Sequence, residues 1–212
     1  MSPGPGEEAA SIGSIWERRY SRGYRTGGYP VSSLVEDFLS GWLPTDFPVL
    51  EVGCGTGRTY SHISALYRGR GAPWPLYAAV DLSPSALSAA SARKGLDALR
   101  GDAFSLPFST GLFSLVYSRN ALHGYSDSSI EAYGIEIARV LKTGGILALD
   151  ERGPLDRTGL PPPRTGRILG SPEFIRLLGS LEPLLWSDEI RKRRTRHSAM
   201  FVHGCSVVFV KK

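Results

Sequence analysis

Long apolar runs are missing from this chain: none approaches the about 20 residues that a helix needs to cross a bilayer. The N-terminus, M-S-P-G-P-G-E-E, has neither the basic start nor the apolar block of a secretory signal. A soluble, cytoplasmic protein without membrane contact is the expectation. Cysteine is scarce, and the two present, Cys54 and Cys205, stand in a glycine-rich turn and in a strand-like run far along the chain, which argues against a disulfide framework. Cysteine and histidine nowhere fall at metal-ligand spacing, so no metal centre is expected. With 212 residues and 42% hydrophobic content the chain can bury a core of its own. Net charge is +5 and the pI is near 9.4, a balance that permits acidic partners or nucleic acid but does not demand them.

What is present is organised around Pro48 to Thr59, P-V-L-E-V-G-C-G-T-G-R-T. A short apolar run ending abruptly in glycine reads as a buried strand followed by a turn that brings bare backbone up to a ligand. The modest helical signal of Thr59 to Leu66 completes a nucleotide-binding corner of an open α/β sheet. A dinucleotide fingerprint needs glycine at position 58, where Arg58 stands, and no G-K-[ST] follows to make a phosphate-cradling P-loop. The remaining pattern, E-x-G-x-G-x-G, resembles motif I of the S-adenosylmethionine-dependent methyltransferases with the Rossmann-like (class I) fold. That resemblance places Gly53, Cys54, Gly55 and Gly57 against the methionine and sugar of the cofactor. It has Glu51 orient the turn and the cofactor's amino group.

Later stretches agree in order and spacing. Leu76 to Asp81, L-Y-A-A-V-D, reads as a second buried strand, and a carboxylate at its tip can accept both hydroxyls of a ribose lying across it. Leu82 then packs on the adenine, or Asp81 merely precedes a helix over Ser83 to Lys94. G-D-A-F-S-L-P-F at Gly101 to Phe108 resembles the family's G-D-A-x-x-L-P-F segment, in which Asp102 accepts from the adenine amine and Ala103 lies beside it. Leu112 to Ser118 is a fourth strand, followed by R-N-A-L-H-G-Y-S, which resembles the family's S-x-x-x-L-H segment; there the backbone of Ser118 and Arg119 approaches the methionine end. The N-P-P-Y or D-P-P-Y tetrapeptide of enzymes that methylate base amines is absent. A helix over Ser128 to Leu141 closes on Lys142-Thr143-Gly144-Gly145 as a glycine cap, and R-V-L-K-T-G-G resembles the family's R-V-L-K-P-G-G.

The flanks are read as follows. Residues 1–13, rich in Pro, Gly and Ser, are expected to be poorly ordered. Residues 14–46 form a helical arm in which Trp16 and Tyr20 share a face, either packing on the body or covering the ligand as a lid. A helix runs from Pro30 to Trp42 on a regular apolar face. Asp150 and Glu151 end the fifth strand, where either orients a substrate or caps the loop. Residues 153–170 are long and irregular and are read as a substrate-side wall. A helix at Ser171 and a hairpin of Trp186 to Arg196 with Met200 to Val210 complete the chain. The basic run Arg191 to Arg196 reads as the solvated face of an edge strand, with RNA contact as the lesser alternative.

The resemblance implies a single α/β domain over 14–212: a Rossmann-like three-layer sandwich whose seven-stranded, mostly parallel sheet has the order 3-2-1-4-5-7-6 and ends in an antiparallel hairpin. It implies transfer of a methyl group from S-adenosyl-L-methionine to a small-molecule acceptor by direct displacement, with S-adenosyl-L-homocysteine as product. Acceptor-side candidates are Tyr20, His123 and Glu151. His123 serves as general base or simply packs. Two other readings stand beside this one: methylation of RNA or a protein lysine, and a non-catalytic protein that binds the cofactor.

Overall fold

In a computed structural model the described residues are 4–24, 31–45, 48–93, 95–153, 169–194 and 199–212, with backbone alone over 190–203. Six helices and seven strands are among them: α1 (Pro5–Ser21), α2 (Ser33–Gly41), β1 (Val49–Val52), α3 (Arg58–Arg70), β2 (Tyr77–Asp81), α4 (Pro84–Ser91), β3 (Asp97–Arg100), β4 (Phe113–Arg119), α5 (Asp127–Val140), β5 (Leu141–Arg152), α6 (Ser171–Leu177), β6 (Glu182–Arg194) and β7 (Ala199–Val210). The strands form one sheet in the order β3-β2-β1-β4-β5-β7-β6. β1 pairs in parallel with β2 and β4, and β7 runs antiparallel between β5 and β6. This is the expected seven-stranded α/β sandwich.

Alternation along the strands divides the core in two. Leu50, Val52, Val80, Val116, Leu147 and Leu149 face one layer, where Ile130, Tyr133 and Ile137 of α5 and Phe174 and Leu177 of α6 pack on them. Val49, Tyr77, Ala79, Leu115, Tyr117 and Ala148 face the other, against Val35 and Leu39 of α2 and Ile63 and Tyr67 of α3. All four residues of β1 are buried, as a central parallel strand requires. Each of its side chains therefore meets a helix.

Three expectations need correction. Residues 5–13 are not disordered: they are the first half of α1. Pro5 opens that helix, the Glu7 carboxylate accepts from the Gly4 N–H at 3.3 Å, and Ala9 and Ile12 are buried. The segment Lys142 to Gly145 does not cap α5. The helix ends on an extended Leu141, and β5 begins there with an irregularity between the pairs Phe113↔Leu141 and Leu115↔Ile146, where Gly144 takes φ +73°. The helix expected from Pro30 starts at Ser33, with the Ser32 hydroxyl accepting from the Val35 N–H; Pro30 itself is outside the described residues. So are Lys94, residues 154–168 of the expected substrate-side wall, and Thr195 and Arg196 of the basic run. Arg191 to Arg194 lie in edge strand β6. Cys54 and Cys205 are buried and stand outside any disulfide. Among the described residues no helix is long and apolar enough to cross a membrane.

Candidate active site

A cavity of about 410 Å³ opens over the carboxyl ends of the strands. Its floor is the turn after β1 and the tips of β2, β4 and β5, and α1 forms one wall. Parallel α/β sheets place ligands at this edge, where the strand order reverses between β1 and β4.

The turn after β1 is held from both sides. The Gly53 and Cys54 N–H groups donate to the Val80 carbonyl at 2.9 and 3.0 Å. The Gly55 N–H donates to Asp81 Oδ2 at 2.8 Å, while Asp81 Oδ1 accepts from the Ser83 N–H at 2.9 Å. Gly53 and Gly57 have φ near +70°. A Cβ at Gly53 would lie 2.6 Å from the Cβ of Ala121, and one at Gly57 would lie 2.5 Å from Leu96 Cδ2. The missing side chains thus admit the loop after β4 and the start of β3. The turn's glycines serve close packing of its neighbours first, and that packing gives the cavity floor its shape.

Of the acids at this edge, Glu51 is buried and Asp81 and Asp102 are half-buried. Desolvation raises the Asp81 pKa, against the hydrogen bonds it accepts from Ser83 and Gly55. Glu51 sits under the floor, where Tyr77 Oη donates to its Oε2 at 2.9 Å. Burial pushes its carboxyl up to about 7, although Tyr77, Thr59 and Arg119 oppose the rise. Asp102 lies beside the cavity and its Oδ1 accepts from the Phe104 N–H at 3.0 Å.

Helix α1 is latched at both edges of its inward face. Glu8, 4% exposed, accepts from the Ser126 N–H and hydroxyl at 3.1 and 2.8 Å and from the Ser129 hydroxyl, at the start of α5. Glu17 accepts from the Ser83 hydroxyl at 2.6 Å and from the Ser85 N–H and hydroxyl, at the start of α4. Nine residues make two and a half helical turns, so the two carboxylates point to opposite sides. Each meets the partially positive end of another helix. Between them Trp16 and Tyr20 turn to the cavity, with ring centroids 5.9 Å apart and Tyr24 within 6.0 Å of both. Burial raises the Tyr20 pKa, with Asp81 adding to it. Gly13 allows α1 to close on Leu82.

Opposite, the tips of β4 and β5 carry polar groups to both faces. On one face, Asp150 accepts from the Ser32 N–H and the Ser206 hydroxyl at 3.2 Å each and lies 3.4 Å from Arg119 Nε. On the other, Glu151 Oε1 accepts from the N–H groups of Ala121 and Leu122 at 2.7 and 3.0 Å, and Oε2 is 3.7 Å from His123 Nδ1. The imidazole stands edge-on to Trp16 at 5.5 Å. Asn120, at φ +52°, starts this loop, and its N–H donates to the Asp150 carbonyl at 2.9 Å.

Of the residues marked by the sequence, Tyr20, Gly53, Cys54, Asp81, Leu82, Ala103, Arg119 and His123 line the cavity together. Glu51, Gly55, Gly57, Asp102, Ser118 and Glu151 do not line it; they support those that do. His62, Arg152 and Tyr24 also line it and carried no motif, and so do Phe104 and Tyr125, which stand at unassigned positions of the two segments quoted after β3 and β4. His62 follows Arg58 by one helical turn on α3, and that spacing is the signal that could have found it. Burial lowers its pKa; Glu36 opposes this and Arg119 reinforces it.

Comparison with known proteins agrees with the fold. Residues 49–145 match the model of a methyltransferase domain. The phthiotriol/phenolphthiotriol dimycocerosates methyltransferase of Mycobacterium leprae is 33% identical over 52% of this chain and 40% of its own length. The fatty-acid O-methyltransferase of Mycolicibacterium smegmatis is 31% identical over 50% and 37%. The matched segment thus spans about two fifths of these relatives. An S-adenosylmethionine-dependent methyltransferase structure from Methanosarcina mazei superposes with a TM-score of 0.63 at 19% identity, covering 88% of this chain and 99% of that one, which shows a shared fold.

Proposed function

We propose that this chain is a class I, Rossmann-like methyltransferase, on the match of residues 49–145 to a methyltransferase domain and on the strand order of the sheet, and that it moves the methyl group of S-adenosyl-L-methionine onto an oxygen of a small apolar acceptor. The observation that carries the proposal is one cavity bounded on one side by the glycine turn with Asp81 and on the other by His123 backed by Glu151. The residues fit the cofactor. Each Asp81 oxygen accepts one backbone N–H, and an ionised carboxylate has about four acceptor positions, so capacity for two ribose hydroxyls is left. Leu82, Ala103 and Phe104 offer an apolar slot for a base.

When bound, the cofactor supplies a methyl group on a positively charged sulfur. The chain's own work is alignment and exclusion of water. Trp16, Tyr20 and Tyr24 wall the cavity with aromatic surface, which suits an apolar acceptor. For a hydroxyl or phenol acceptor His123 takes the proton at Nε2; a carboxylate acceptor arrives already ionised and gives up none. Glu151 holds the loop through Ala121 and Leu122 and faces Nδ1, so it is a positioning residue and not a catalytic one. The fatty-acid acceptor of the Mycolicibacterium relative falls within this class.

The test is calorimetry with S-adenosyl-L-homocysteine, with NAD and ATP as controls, followed by transfer of radiolabelled methyl to fatty acids and phenols. Binding of the homocysteine compound alone is expected, with labelled phenol ether lost in His123→Ala and fatty-acid ester formation affected far less. Binding without transfer to any acceptor would leave a cofactor-binding module. Labelling of RNA with steep salt dependence would move the acceptor to nucleic acid.

A further inference from the structure

Ser118 Oγ, Tyr133 Oη, His123 Nδ1 and Glu151 Oε2 are buried and take no hydrogen bond from a described residue. They belong to one place. His123 Nδ1 and Glu151 Oε2 are 3.7 Å apart. Ser118 lies opposite Leu149 on the adjacent parallel strand, so Ser118 and Glu151 project from the same sheet face two positions apart. The Tyr133 phenol comes down from α5 onto both. Burial raises its pKa most, the Ser118 hydroxyl beside it works against that rise, and Glu151 adds to it. The Ser118 hydroxyl is near the phenol without forming a well-shaped hydrogen bond to it.

Buried hydroxyls and carboxylate oxygens are rarely left bare in native interiors, because each would carry its full desolvation penalty. Several at one polar spot are the usual partners of an internal water, which takes two to four hydrogen bonds. We infer that an ordered water joins Ser118, Tyr133 and Glu151 Oε2, and that Ser118 and Tyr133 are positioning residues for the His123–Glu151 pair. The water donates to Glu151 Oε2 and to one hydroxyl and accepts from the other. Glu151 Oε1 is already held by the Ala121 and Leu122 amides. With Oε2 anchored as well, the carboxylate cannot turn, and it keeps the His123 proton on Nδ1. Nε2 is then left with its lone pair toward the acceptor. This assignment rests on the reading of His123 as the base.

The test uses Tyr133→Phe and Ser118→Ala, singly and together. In urea unfolding each single variant is expected to raise the unfolding constant about fivefold, and the double variant little further, because the two side chains share one water. Bare hydroxyls give the opposite result: each variant unfolds less readily and the effects add, which overturns the inference. A crystal structure of the unaltered chain is expected to show water density within reach of Glu151 Oε2, and apolar packing at that point overturns it too. Nitrogen-15 NMR of the imidazole reads the positioning role. The Nδ1–H tautomer is expected in the parent chain and a mixture of tautomers in Tyr133→Phe; an unchanged tautomer refutes that role. None of these measurements requires methyl transfer. If His123→Ala leaves transfer to phenols intact, the proposed base is lost while the water network stands or falls on its own data.

Discussion

The carboxyl group of Glu51 should make the protein less stable as pH rises from 4.5 to 7. Burial inside the sheet moves its pKa from the free value of 4.5 up to about 7. In that interval the folded chain binds a proton that the unfolded chain has released, so unfolding becomes easier with each step in pH. The contribution is complete below 4.5 and gone above 7. A rise of about 2.5 units at about 1.36 kcal/mol each corresponds to about 3 kcal/mol. Glu51→Gln places a neutral isostere at the site. Relative to the parent it should be equally stable near pH 4.5 and about 3 kcal/mol more stable at pH 8. Tyr77→Phe removes the donor to Glu51 Oε2 at 2.9 Å, which stabilises the charged form. The window should then stretch above pH 7 and the loss grow by about 2 kcal/mol. The assay is urea unfolding of the three proteins at half-unit steps from pH 5 to 8. A parent-minus-Gln stability difference that stays constant over that range would refute the reasoning.

Three further outcomes follow from the geometry. Asp81→Ala should weaken S-adenosyl-L-homocysteine binding at least 30-fold (about 2 kcal/mol) in calorimetry, since two hydroxyls lose their acceptor and the Gly55 N–H loses its anchor. Gly53→Ala should cost about 2–4 kcal/mol in urea unfolding, from the positive φ and the 2.6 Å approach to Ala121; Gly69→Ala, inside α3 with nothing within 4 Å, should instead gain about 0.5–1 kcal/mol. Glu8→Gln should cost about 1–3 kcal/mol in thermal unfolding, because three serine donors at the start of α5 lose a charged acceptor.

Much of the glycine-turn side of the candidate site could be placed from the sequence because its signals are local. Val49 to Val52 and the glycines after it are contiguous, and Asp81 ends a strand of its own. The strand order was available only through the family resemblance, since no local pattern says that β7 lies between β5 and β6. Residues 5–13 were misread because their helix depends on Glu8 reaching Ser126, more than a hundred positions away. Composition carries no trace of such a contact. The Lys142 to Gly145 segment looked like a helix cap because Gly144 does take a left-handed φ, yet it does so in an irregular start of β5. Asp102, Ser118 and Glu151 carried motif positions, but side-chain direction decides whether a residue meets the cavity or braces what does. His62 and Arg152 reach the cavity from α3 and β5, and only folding brings those elements together.

Helix α1 is at once a side of the chamber and the bar across it. Its two glutamates hold the starting turns of α4 and α5, and its aromatic rings stand between them. Lifting the helix releases both ends and removes the aromatic screen in a single movement. On the proposed reading, a fresh cofactor entering and a spent one leaving would share that doorway, and the pace of exchange would follow how often the bar swings.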